Sequence, residues 1–318
     1  MWLLLKYTLL YASVLALVAL GGMFSERSGI INIALEGIMV IGGLMGVVAI
    51  NLFNAAGVPV VLGVILTILI SGAAGMLYSS LLAFSAVNLK ADQTIGGTAL
   101  NLLATALAVV IAKRINGSDS PKISYNSTTN KVLSNLNFSF QIGPLTLNWF
   151  IVVALAALVA AWFILYRTRF GMRLMACGEH PQAADSVGIN VYKMRWCGVL
   201  ISGLLGGIGG MAYIVPAVGD WNFEIGVAGM GFLALAVMIF GQWKPAGIAA
   251  AALFFAVFRA MANIFDSIGF LNALNWPKEI YNMMPFLASM VVLAFTSKKS
   301  RAPKAEGVPY DKGSRKIG

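Results

Sequence analysis

Apolar residues run almost unbroken along the chain, in stretches close to the roughly 20 residues a helix needs to cross a bilayer. Nine such runs can be marked, at 3–22, 24–50, 60–87, 95–112, 145–166, 196–216, 227–242, 246–264 and 280–296. They are continuous, whereas barrel strands would alternate apolar and polar positions. The pattern predicts an all-α polytopic membrane protein with nine transmembrane helices, or ten if 24–50 or 60–87 divides. Some spans should be short or broken. The run 227–242 is short, and 24–50 is interrupted by Gly29, Gly37, Gly42, Gly43 and Gly46. Residues 1–20 could be a signal peptide, but no small-x-small site closes the run and the chain re-enters the membrane at once, so a first span is expected. The glycine pattern of 24–50 recurs faintly at 226–260, a hint of two related halves of the kind found in many transporters.

The polar breaks carry the organisation. Residues 113–144 form the longest, rich in Asn and Ser, with N-x-S/T triplets at Asn116, Asn126 and Asn137 that this composition supplies by chance. Residues 167–195 hold five basic side chains (Arg167, Arg169, Arg173, Lys193, Arg195) and the only histidine, His180. The middle of that stretch reads as a short helix over 181–187. Pro181 suits the first helical position, where its missing N–H would be unpaired anyway, and Gly188 suits the left-handed residue after the end. Two turns, PQAADSV, would expose small side chains at Ala183 and Ala184. Such a helix anchors poorly in lipid and is a reasonable plug for another protein's groove.

Composition narrows the class. Of the 318 residues 59% are hydrophobic and 11% charged, where a soluble domain carries about 25% charged residues; the mean hydropathy is +0.84. The net charge of +10 would suit nucleic acid, but its placement does not. Twelve of 22 Lys and Arg lie in the 167–195 loop and in the tail after Thr296, the arrangement of a positive-inside membrane protein. Four crossings separate loop from tail, so both fall on one side, taken as cytoplasmic, which makes 113–144 an external loop. The expected division is a transmembrane domain at 1–297 and a basic cytoplasmic tail at 298–318. Cys177 and Cys197 are too few for a disulfide framework and are expected as free thiols.

Candidate chemistry is sparse. There is no Walker lysine loop, HExxH, Cys/His metal pattern or serine elbow, so neither an enzyme nor a self-powered pump has residues to stand on. Glu36 is an acid inside an apolar run, costly there and usually turned to a cavity or partner. It either caps a broken helix or pairs with Arg27, or it lines a solute path with Asn32, four residues earlier and so on the same helical face. Asp92, Gln93, Thr94, Thr98 and Asn101 form a second polar group. Thr94, Thr98 and Asn101 share one helical face, suited either to capping and interhelical hydrogen bonds or to a polar stripe for a hydroxylated solute. Trp221, between Asp220 and Glu224, is an interface anchor or a stacking platform. Arg259 and Asp266, seven apart, suggest a structural ion pair.

Two motifs resemble a known family. GEHPQAADSVGINV, at 178–191, resembles the cytoplasmic loop signature of ABC importer permeases of the ribose and branched-chain amino acid class, roughly G-x-x-x-x-A-A-x-x-x-G-I-N/D-V. RTRFGMRLMACG before it is similar to that family's R-T-x-x-G-x-x-x-R-A-x-G, with Met175 where Arg is frequent. Upstream, ERSGIINIALEGIMVIGG, with Glu36 in an N-I-x-x-E-G-x-M core, and ADQTIGGTALN resemble the nucleoside or simple-sugar subgroup. The resemblance covers about 21–295 and implies a transport subunit that does no chemistry itself and binds no cofactor. It would be the shorter permease of a dimer, in the nucleoside group often a heterodimer with a second permease subunit, in the plasma membrane of a bacterium. ATP and Mg would be used by a separate cytoplasmic ABC ATPase, and an external substrate-binding lipoprotein or periplasmic protein would deliver the solute. The implied ATPase-coupling residues are Gly178, Glu179, His180, Pro181, Ala183, Ala184 and Gly188; the residues themselves, not the resemblance, give Asn32, Glu36, Thr94, Thr98, Asn101 and Trp221 as the candidate solute pathway. From the residues alone the competing reading is a stand-alone secondary transporter or channel with Glu36 as its ion or proton site. The loop distinguishes them, since such a carrier has no need of a docking helix.

Overall fold

A computed structural model describes residues 2–124, 138–143, 145–217, 220–223, 226–267, 277–296 and 302–312. Each apolar run becomes one helix: α1 (Trp2–Arg27), α2 (Leu35–Ala56), α3 (Val60–Ala83), α4 (Gln93–Asn116), α5 (Trp149–Arg167), α8 (Val191–Ala217), α9 (Met230–Phe240), α10 (Pro245–Asn263) and α11 (Lys278–Thr296). Two more helices, α6 (Arg169–Glu179) and α7 (Pro181–Ser186), fill the basic loop. Among the described residues seven helices are long and apolar enough to cross a bilayer: α1 to α5, α8 and α10. Neither 24–50 nor 60–87 divides into two spans. The short run at 227–242 yields an eleven-residue helix, because Gly226, Ala228 and Gly229 all take positive φ and hold the chain out of helix until Met230.

Local signals set the ends. Asp92 Oδ1 caps α4, accepting from Thr94 N–H at 2.8 Å and Ile95 N–H at 2.9 Å, so the capping expected of that polar group is present. Asn148 Oδ1 accepts from Phe150 N–H at 2.9 Å to start α5, and α2 ends on a left-handed Gly57. A π-helical turn, Phe84–Asn88, closes α3.

Helices α1, α2 and α8 form the centre, each with more than half of its apolar window buried, against 22% for α5. Close backbone contact explains the glycine cluster of α8. A methyl group on Gly42 of α2 or Gly75 of α3 would overlap the backbone of Gly207. The hydroxyl of Ser71 ties the same crossing, 2.7 Å from Gly42 O and 2.8 Å from Gly207 O. Without an oil-to-water gradient between helices in lipid, small residues and interhelical hydrogen bonds carry the packing.

The bundle has two unlike ends. At one, Arg27 donates to Trp243 O at 2.9 and 3.1 Å, Trp196 Nε1 donates to Asn88 Oδ1 at 3.0 Å, and the tail segment 302–312 lies on the 167–195 loop. Loop and tail therefore share a side, as the charge count required. At the other end β1 (Lys122–Ser124) pairs antiparallel with β4 (Asp220–Asn222), and β2 (Ser139–Ile142) with β3 (Leu145–Asn148). Lys6, near the start of α1, shares a pocket with Asn148 and Pro216 there, so α1 begins opposite the loop. Glu224, Asn126, Asn137 and the basic residues Lys298, Lys299, Arg301, Arg315 and Lys316 lie outside the described residues.

Candidate functional site

The basic loop is a helical elbow. Thr168 breaks from α5 with extended backbone, and its Oγ1 accepts from Gly171 N–H at 3.2 Å, opening α6. The sequence RFGMRLMACGE is amphipathic: Gly171, Leu174, Cys177 and Gly178 are buried on one side, while Met172 and Arg173 face out. Sequence reading placed a helix only in the middle of the loop; the i, i+3, i+6, i+7 spacing of these residues was the signal for α6. Gly178 presses on the end of α1, where a methyl group would overlap Arg27 O, so any larger residue would push the elbow off the bundle.

Pro181 opens α7, and Gly188 follows its end with φ +83°, as the sequence indicated. His180 takes the N-cap position with no side-chain cap hydrogen bond and is exposed, while Glu179 is half-buried. One expectation is corrected. Ala183 is exposed, but Ala184 is buried at 3% exposure, against Cys177, Val191 and Tyr310. The two positions are adjacent, about 100° apart around a helix, so a helix resting on a surface cannot expose both. The free face is Gln182, Ala183, Ser186 and Val187, with Val187 75% exposed. Burial pushes the Cys177 thiol up to about 11.

The intramembrane polar residues do not form one stripe. Asn32 precedes α2 in a non-helical stretch, so it does not share a helical face with Glu36. Its Nδ2 donates to Ser202 Oγ on α8 at 2.8 Å. Glu36 turns the other way, accepting from Gly229 N–H at 2.8 Å and Gly231 N–H at 2.7 Å at the start of α9. It caps a broken helix, while Arg27 is engaged elsewhere, with Trp243. Asn101 is buried and bridges two backbone groups one turn apart at the start of α2, accepting from Gly37 N–H at 2.8 Å and donating to Ile33 O at 2.9 Å. Gln93, of the same polar group, accepts from Ile31 N–H at 2.7 Å. Thr94 and Thr98 sit just outside the buried arc of α4 and are exposed; Thr98 Oγ1 donates to Thr94 O at 2.7 Å. Trp221 lies in β4, paired across to Ile123, and its side chain is outside the described residues. Among the described residues Arg259 and Asp266 form no ion pair. Arg259 instead faces Tyr213 Oη at 3.5 Å and the Tyr11 ring at 5.8 Å.

These features agree with the comparisons to known proteins. The family model described as branched-chain amino acid transport system / permease component matches residues 4–294. The guanosine ABC transporter permease protein NupQ of Bacillus subtilis (strain 168) is 40% identical over 315 residues, 97% of this chain and 96% of that one. The nucleoside ABC transporter permease protein NupC of Lactococcus lactis subsp. cremoris is 41% identical over 314 residues, 96% of this chain and 95% of that one. NupB, a second nucleoside ABC transporter permease protein of that organism, is 27% identical over 202 residues, 60% of this chain and 54% of that one. No solved structure matches the chain. A permease component of a transport system leaves no place for Glu36 as the ion site of a stand-alone carrier. With a helical elbow at one bundle end and a match over nearly its whole length, the chain belongs to the family of branched-chain amino acid transport system permease components.

Proposed function

We propose that this chain is the membrane-spanning subunit of an ATP-binding-cassette importer for nucleosides. The two nucleoside permeases that align with nearly all of it support the solute class. The observation that carries the mechanism is the exposed face of α7, with Ala183 small and Val187 apolar, held on a bundle end by the close contact at Gly178. On this reading α7 is the coupling helix, seated in a groove of a cytoplasmic ABC ATPase that hydrolyses ATP with Mg. The end bearing the loop and tail is cytoplasmic, and the end bearing the two small sheets faces the external binding protein. A second permease subunit, in the relation of NupB to NupC, completes the path. ATP binding and hydrolysis favour different arrangements of the membrane helices, and a short rigid element biases which one is populated. Glu36, Asn32 and Asn101 hold the backbone that borders the path, while Thr94 and Thr98 present free faces to it.

The test is uptake of radiolabelled guanosine, uridine, ribose and galactose by the reconstituted complex. Nucleoside uptake that stops without the ATPase, and survives collapse of the proton gradient, is expected. Uptake that follows the proton gradient, or a preference for free sugar, overturns the reading.

A further inference from the structure

Residues 302–312 cross the elbow as a strap with turns at 304–307. Ala305 N–H donates to Gly178 O at 2.8 Å, and Gly307 N–H to Gly29 O at 3.3 Å. Val308 O accepts from Arg195 Nη1 at 2.9 Å. Tyr310 is 4% exposed and meets the Tyr192 ring edge-on at 5.3 Å. It packs on Cys177, Ala184 and Val191 and hydrogen-bonds to Asp185 of α7. Lys312 pairs with Asp185 at 3.7 Å, and Asp311 with Lys90 at 3.1 Å. One eleven-residue segment thus touches α7, α6, α8, the α1–α2 corner and the α3–α4 break.

The exposed ion pairs weigh little in such a contact. The buried groups weigh more. Arg195 is 1% exposed; its Nε and Nη2 have no hydrogen-bond partner among the described residues, and its Nη1 donates to the strap carbonyl of Val308. A buried cation that loses an acceptor is costly, so strap and elbow are energetically tied. Helix α7 has six residues, too few to hold a helix or a position by itself. Its rest position is set by what it packs on, and among the described residues Tyr310 is the large buried side chain that joins Ala184 from outside the elbow.

We propose that the strap is a positioning device that makes α7, the start of α8 and the α1–α2 corner move as one body, with Tyr310 and Arg195 as its positioning residues. This rests on the reading of α7 as the ATPase-docking helix. Without the strap α7 still meets the ATPase, but its displacement is absorbed by the elbow instead of reaching the membrane helices.

The test uses the full complex with ATPase and binding protein in liposomes, in a Cys197→Ser background that leaves Cys177 as the chain's single thiol. Maleimide labelling of Cys177 reports whether the strap is docked; solute moved per ATP hydrolysed reports coupling. Tyr310→Ala and deletion of 302–318 should both expose Cys177. Each should lower solute per ATP about tenfold, equivalent to ~1.4 kcal/mol, with the ATPase still co-purifying. Tyr310→Phe, which keeps the ring, should restore most of the coupling. Wild-type solute per ATP with Cys177 exposed overturns the proposal, as does unchanged Cys177 labelling in both variants. If the deletion does not insert, Tyr310→Ala alone decides. Ala183→Trp separates the two readings: if it leaves ATPase binding intact the docking helix is wrong, whatever the strap variants do.

Discussion

Glu36 on α2 holds the start of α9 by its carboxylate, Oε2 accepting from Gly231 N–H at 2.7 Å and Oε1 from Gly229 N–H at 2.8 Å. A negative charge at a helix N-terminus satisfies orphan donors and complements the helix dipole. In lipid no water can replace it. Glu36→Gln keeps the shape but turns an NH2 group toward a donor. The expected loss is about 1–3 kcal/mol, the usual cost of one stranded buried group. Thermal unfolding in detergent should show a lower midpoint, with nucleoside uptake reduced in parallel. An unchanged midpoint would mean that α9 is positioned by its apolar contacts alone.

Asn101 and Thr98 make a paired test of the α4 stripe. Asn101→Ala strands the buried Gly37 N–H, at about 1–3 kcal/mol, and removes the donor to the part-buried Ile33 O. Thr98→Val alters an exposed side chain and should change stability by no more than ~0.5 kcal/mol. If Thr98 borders the path, Thr98→Val raises the KM for nucleoside while the unfolding midpoint stays fixed. The reverse pattern, with Asn101→Ala neutral, would contradict the backbone bridge.

The fold was legible because bilayer thickness writes itself into run length: all nine apolar runs became helices. What periodicity cannot show is where a helix stops inside an apolar run, and so α9 came out at eleven residues, set by three positive-φ positions at 226–229. At the elbow, Pro181 and Gly188 marked both ends of α7 through local backbone chemistry. Which alanine faces out depends on a tertiary neighbour, Tyr310, more than 120 residues away in sequence, and nothing local encodes that. The same holds for Glu36. Its cost in an apolar run was readable, while its partners, Gly229 and Gly231, come from a distant segment.

Ala183 and Ala184 should therefore differ sharply when enlarged. Ala184→Leu forces extra carbons into the contact with Cys177, Val191 and Tyr310, an overpacking worth about 1–3 kcal/mol. It should loosen the elbow, raise the labelling rate of Cys177 and weaken transport. Ala183→Trp leaves that contact alone and should change stability by no more than ~0.5 kcal/mol, yet abolish co-purification of the ATPase. Equal behaviour of the two variants would refute the orientation of α7.

Strap docking should depend on pH through Glu306. Burial holds its carboxyl above the usual carboxylate range, partly offset by a hydrogen bond with Glu26 of α1. Glu26 is itself buried and receives Trp243 Nε1 at 2.5 Å, so two carboxyl groups meet where the strap crosses the corner. A group whose docked pKa lies above its free value stabilises docking fully below the free value, and that contribution is lost as pH rises through the docked one. Docking should thus be tightest in mild acid and loosen toward alkaline pH. A nitroxide on the exposed Lys312 position, introduced as Lys312→Cys in a chain lacking the native thiols, should become more mobile as pH increases. Glu306→Gln, neutral at every pH, should flatten that dependence while keeping the strap docked. Mobility that rises equally in the Glu306→Gln chain would assign the pH response to another group.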